Sequence, residues 1–177
     1  MTANLLEPAK AALLVFAAAI LQVAIFSEID IIGGYPDVVL LTLVAIALLR
    51  GSIYGAACGF FAGLILDTAT LSTLGLTSLL LTIAGYWIGR YGETTGRDRT
   101  HAPFLAVVVL TVLVTAGGVA LHFMLGDEVS ARHAFLDTLI PELALNLLIA
   151  APVFALCRRL LRPDDLQARL QEVRQLG

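Results

Sequence analysis

Glu142 and Asn146 stand one helical turn apart inside a long apolar run, with Pro141 and Pro152 flanking the pair. A carboxyl at membrane depth has to be neutral, paired or wetted. The pair has two possible uses. It could take up a proton or a polar ligand. It could instead tie its helix to neighbours by hydrogen bonds, using backbone carbonyls that the two prolines leave free. The sequence leaves both open. Asp37 follows Pro36, and a proline with an acid beside it makes a good helix start. Asp67 closes a glycine series and could cap the segment after it. Pro36, Asp37 and Asp67 are also the candidates for an acidic outer rim. His122 is a lone imidazole and reads as a hydrogen-bonded polar residue. Ser72, Thr73, Thr77 and Ser78 have no His nearby in sequence, so no nucleophile with an oriented base is visible. Cys58 and Cys157 are single thiols in apolar runs, which suits packing and not a disulfide framework or zinc site. There is no P-loop, no G-x-S-x-G and no dinucleotide fingerprint. No residue is therefore expected to serve catalysis, a cofactor or a metal.

The elements that hold these residues are set by hydropathy. Of 177 residues, 59% are hydrophobic and 14% charged, and the mean hydropathy is +0.91. A soluble domain carries about 25% charged residues. The chain is expected to be an all-α integral membrane protein with six apolar segments, at about 9–26, 32–49, 51–66, 71–88, 103–125 and 134–157. Residues 1–162 would form one transmembrane domain. The second and third segments are short against the roughly 20 residues of a span. Two thin spans are preferred to a re-entrant hairpin, because a hairpin would leave Arg50 near mid-membrane. With both termini in the cytoplasm, only Arg132 of the eleven Lys and Arg residues falls outside, a strong positive-inside pattern. The acids Glu28, Asp30, Asp37, Asp67, Asp127 and Glu128 sort to the outer side, where solvated loop charge is their plainest explanation.

Gly51, Gly55, Gly59 and Gly63 recur at every fourth position and therefore share one helix face. Each costs a helix about 1 kcal/mol relative to alanine. In a bilayer such a smooth face admits a neighbouring backbone, either within the chain, in a second copy or in a partner. Arg158, Arg159 and Arg162 lie just inside the membrane and suit anionic headgroups. From Pro163, residues 163–177 form a short cytoplasmic tail with a helix-start signal and an apolar stripe of Leu166, Leu170 and Val173.

Tyr35-Pro36-Asp37 opens the second segment. Gly59-Phe60-Phe61-Ala62-Gly63-Leu64-Ile65-Leu66-Asp67 follows in the third, and then Ser72-Thr73-Leu74-Gly75. This combination resembles the bacterial rod shape-determining MreD family, over roughly residues 35–90. The resemblance implies a non-enzymatic scaffold or regulator of the cell-elongation complex in the bacterial inner membrane. Implied partners are MreC, the actin-like MreB, and the peptidoglycan polymerase RodA with its penicillin-binding transpeptidase. It also implies a fold similar to the substrate-binding subunits of energy-coupling-factor vitamin transporters. A transporter subunit is therefore the alternative function. Against it, no two alanines of the first segment stand four apart, as that class's docking motif requires.

Overall fold

The computed structural model of the chain describes residues 3–25, 35–95, 102–126 and 139–161. They form six helices: α1 Ala3–Ala24, α2 Val38–Arg50, α3 Ser52–Ala69, α4 Leu76–Thr95, α5 Ala102–Met124 and α6 Leu139–Leu161. The tail 163–177, Arg162 and the acids Glu28, Asp30, Asp127 and Glu128 lie outside the described residues.

Helix α2 is the axis of the bundle. It packs against all five others, and every residue from Val39 to Leu48 is buried. Being apolar all round, it suits a helix surrounded by protein. Its 13 residues span about 20 Å at about 1.5 Å per residue, less than the hydrocarbon thickness of a bilayer. By length and composition α3, α5 and α6 are able to cross a membrane, while α2 and the Pro8–Ala24 part of α1 are shorter apolar helices. The short α2 needs no match to lipid, because its neighbours enclose it.

A single residue, Gly51, joins α2 to α3. Its φ of +98° permits the reversal, and a side chain there would run into the carboxylate of Glu93. Glu93, on the last turn of α4, accepts from the backbone N–H of Ser52 at 2.7 Å and from its hydroxyl at 2.9 Å. Those bonds, with help from Arg90, hold the Glu93 carboxyl below the usual carboxylate range. Glu93 thus caps α3 from another helix and satisfies a donor that α3's own residues leave open. Helix α4 also differs from hydropathy alone in its limits. It starts later, at Leu76, where Asp67 supplies the cap, and runs on to Thr95, beyond the apolar residues.

The helix directions sort the charges. Arg50, Arg90, Arg158 and Arg159 stand at one end of the bundle, and Asp37, Asp67 and Glu142 stand toward the other. Arg50 also donates to the carbonyl of Leu161 at 2.8 Å, closing the C-terminal end of α6.

Candidate functional site: the glycine seam and the capped end of the central helix

The smooth face of α3 is filled by α4. A methyl group added at Gly55 would overlap the carbonyl of Gly85, at Gly59 that of Leu81, and at Gly63 the backbone of Ser78. From the other side, Gly85 meets Gly55, and Gly89 meets Gly51 and Ser52. The two backbones touch because α3 presents only glycines along the seam and α4 answers two of them with Gly85 and Gly89, and among the described helices α3 with α4 is the most extensive pair. Ser78 adds a cross-link by donating its hydroxyl to the carbonyl of Phe60 at 2.9 Å.

Asp67 ends the seam. It is 1% exposed, so its carboxylate does not stand on an outer rim. It turns back to accept from the N–H of Gly75 at 2.8 Å, Thr77 at 3.2 Å and Ser78 at 3.4 Å, and from the Ser72 hydroxyl at 3.3 Å. One acid therefore orders the whole 70–75 turn and caps α4. Gly75, at φ +93°, and Leu71, at φ +55°, adopt left-handed backbone within that turn. For Leu71 this is costly, and the Asp67 bonds are what hold it.

The N-terminus of α2 is closed by its own cap residue and by side chains of two other helices. Asp37 is its cap and accepts from the N–H of Leu40 at 2.8 Å. Asn146 of α6 accepts from the N–H of Asp37 at 2.8 Å. Gln22 of α1 accepts from the N–H of Val38 at 2.8 Å. Asn146 is fully buried, and its amide makes a longer 3.4 Å contact to the hydroxyl of Thr111 on α5. The first donors of the axial helix are thus met by side chains of α1 and α6, where the bilayer would offer none. Pro36 is buried beside this cap. Replacing Asn146 with leucine keeps the volume but strands a buried N–H, a loss of about 1–3 kcal/mol. The expected result is a melting temperature lower by about 2–4 °C for each of those kcal/mol, read by thermal unfolding in detergent. A variant as stable as the parent would show that this bond does not hold α2.

Of the sequence candidates, the structure brings Asp37, Asn146 and, one turn away, Glu142 together, with Tyr35 beside them. It keeps Asp67 and the glycines in a separate seam. Arg158 and Arg159 are exposed at the opposite end. Sequence reasoning missed Gln22, Thr111 and Glu93. A polar residue inside an apolar run was the available signal for the first two. Cys58 and Cys157 are buried free thiols. A furrow of about 600 Å³ between α1 and α3, bounded by Ala12, Phe16, Ile53, Ala57 and Phe61, is apolar and includes none of these polar residues.

Fold and site define a helical membrane-type bundle whose polar side chains close helix ends and whose glycines close a helix seam. The chain belongs to the MreD family: the family model for rod shape-determining protein MreD matches residues 9–163. No curated protein and no solved structure matches the chain.

Proposed function

We propose that this chain is a non-enzymatic scaffold of the cell-elongation complex, which controls cell shape by holding MreC and, with it, MreB, RodA and its penicillin-binding transpeptidase at sites of side-wall peptidoglycan synthesis. The observation that carries the reading is the family match over nearly the whole chain. The distribution of charge supports an inner-membrane, multi-pass placement with both termini in the cytoplasm. In that placement Arg158 and Arg159 face the anionic headgroups of the inner leaflet.

The internal seam supports a particular division of labour. Gly55, Gly59 and Gly63 are already in contact with α4, so a partner's membrane span docks on another flank. The bundle is then a preformed body, and partners meet its outer surface. Similarity to vitamin-transporter substrate subunits enters this proposal as the arrangement of six helices and not as a transport activity.

Depletion of the chain in its native cells tests the reading. Cells that lose their elongated form and recover it with the wild-type chain supplied in trans support it. Cells of unchanged shape that instead require an external vitamin would contradict it and favour the transporter alternative.

A further inference from the structure

The 70–75 turn between α3 and α4 presents its leucines outward and bonds its polar groups within the chain. Leu71 is 91% exposed and Leu74 67%. Leu71 stands out on left-handed backbone, at φ +55°, a conformation that is costly for a residue with a side chain and that clusters at functional sites. The backbone N–H groups of Thr70, Ser72, Gly75, Leu76, Thr77 and Ser78 all donate within the chain. The Thr70 hydroxyl donates to the carbonyl of Leu66 at 2.8 Å, and the Ser72 hydroxyl to Asp67 at 3.3 Å. A loop in water can leave such groups to solvent and gains nothing from bare leucines. Lipid imposes the opposite arrangement, because there a polar group has to find its partner in the protein.

Depth points the same way. Tyr86 and Trp87 on α4 are exposed, pack edge to face with ring centres 6.0 Å apart, and precede Arg90 at the basic end of the bundle. Exposed aromatic rings beside a basic residue mark the inner membrane interface. Trp87 lies between Gly85, which meets Gly55, and Gly89, which meets Ser52, so it is level with Ile53 and Tyr54 of α3. From Ile53 to Ala69, α3 rises about 24 Å at about 1.5 Å per residue, less than the roughly 30 Å of a bilayer's hydrocarbon. The tip of the α3–α4 hairpin therefore ends below the outer surface of the hydrocarbon, and any tilt lowers it further. The 23 residues of α5 and of α6 span about 35 Å each and reach the full thickness. Ile53, Phe60 and Phe61 carry exposed apolar surface along α3 toward the turn.

We propose that the 70–75 turn is seated in the outer leaflet, with Leu71 and Leu74 among phospholipid acyl chains, so that the α3–α4 flank holds the bilayer thinner than the α5–α6 flank does. This rests on the multi-pass placement given above. Asp67 and the two hydroxyls are what let the turn sit there, because they bond its backbone and polar groups without water. A hairpin shorter than the hydrocarbon draws lipid down to its tip, and exposed leucines at that tip fix the depth.

The test uses the full chain in nanodiscs of phosphatidylcholine, with and without bromine on the acyl chains, and reads tryptophan fluorescence. Trp87 is the chain's one tryptophan, so Leu71→Trp in a Trp87→Phe background reports the turn alone. Its emission is expected to be blue-shifted, to be quenched by brominated lipid as strongly as that of Trp87 in the wild-type chain, and to resist aqueous acrylamide. Leu74→Trp in the same background is the second reporter, used where Leu71→Trp disturbs the strained backbone, and thermal unfolding establishes that each variant is folded. Red-shifted emission that acrylamide quenches and brominated lipid does not would overturn the proposal. It would show a turn held in water, free to meet a partner protein. The wild-type signal separates the two readings. Trp87 quenched by lipid while the turn is not would remove the seated turn and leave the membrane placement standing. Trp87 insensitive to lipid would remove both.

Discussion

Gly59→Leu is expected to yield no folded protein, and even Gly59→Ala to destabilise it severely. The added Cβ meets the backbone carbonyl of Leu81, not the end of a flexible side chain. Relief therefore requires α3 and α4 to move apart along the whole seam, which also strains the Ser78–Phe60 bond and the Asp67 cap. Ordinary overpacking costs about 1–3 kcal/mol, and a backbone collision in the largest helix interface belongs above that range. Gly118 is the internal control. It lies in α5 with nothing within 4 Å of its would-be Cβ. Gly118→Ala is expected to be neutral or to stabilise by up to about 1 kcal/mol through helix propensity. Size-exclusion behaviour and thermal unfolding of the two alanine variants read the difference directly. Equal stability of Gly59→Ala and Gly118→Ala would refute the seam.

Asp67→Ala is expected to be the next most damaging change. It removes the acceptor for three backbone N–H groups and one hydroxyl at the start of α4. Bonds to a charged acceptor contribute about 1.5–3 kcal/mol each where they are buried, and water at the bundle end recovers part of the loss. A net cost of about 3 kcal/mol or more is expected. Asp67→Asn keeps one acceptor oxygen and should fall between alanine and the parent. Protease sensitivity of the 70–75 turn distinguishes a lost cap from general unfolding, since only that turn should open at low protease. A fully resistant turn in Asp67→Ala would mean that Leu71 holds its left-handed backbone without the carboxylate.

Helix number and membrane class were legible because they rest on hydropathy, which each segment carries by itself. The glycine face was legible for the same reason, being a local spacing. What it touches was not. Gly85 and Gly89 repeat the four-residue spacing on α4 and were the available signal, but a spacing does not say which smooth faces meet. The two aspartates were readable as helix caps from Pro36-Asp37 and from the position of Asp67 before the next segment. That Asp67 turns inward became visible only with the fold of the 70–75 turn. Gln22 and Thr111 each look like an isolated polar residue in an apolar run, and Asn146 reads as one half of a pair with Glu142. Their joint role depends on α1, α5 and α6 converging on the start of α2, a tertiary fact that no local pattern contains. Glu93 was hidden because hydropathy ends the fourth segment near Ile88, whereas the helix continues to Thr95 and carries Glu93 to the start of α3.

One consequence of this arrangement concerns partners. Nearly every polar group that could have been read as chemistry at membrane depth is occupied in holding the start of α2 or α4. Among the described side chains Glu142 is the acid left over. A scaffold needs a body that does not rearrange when it is gripped, and a central helix tied to its neighbours at both ends meets that need.

The measurement that tests the central claim most directly is purification of the tagged chain from native membranes in mild detergent, with co-purifying proteins identified by mass spectrometry. The account predicts recovery of MreC together with the polymerase and its transpeptidase. Recovery instead of ATPase subunits with a transmembrane coupling protein would contradict it and make the chain a transporter subunit.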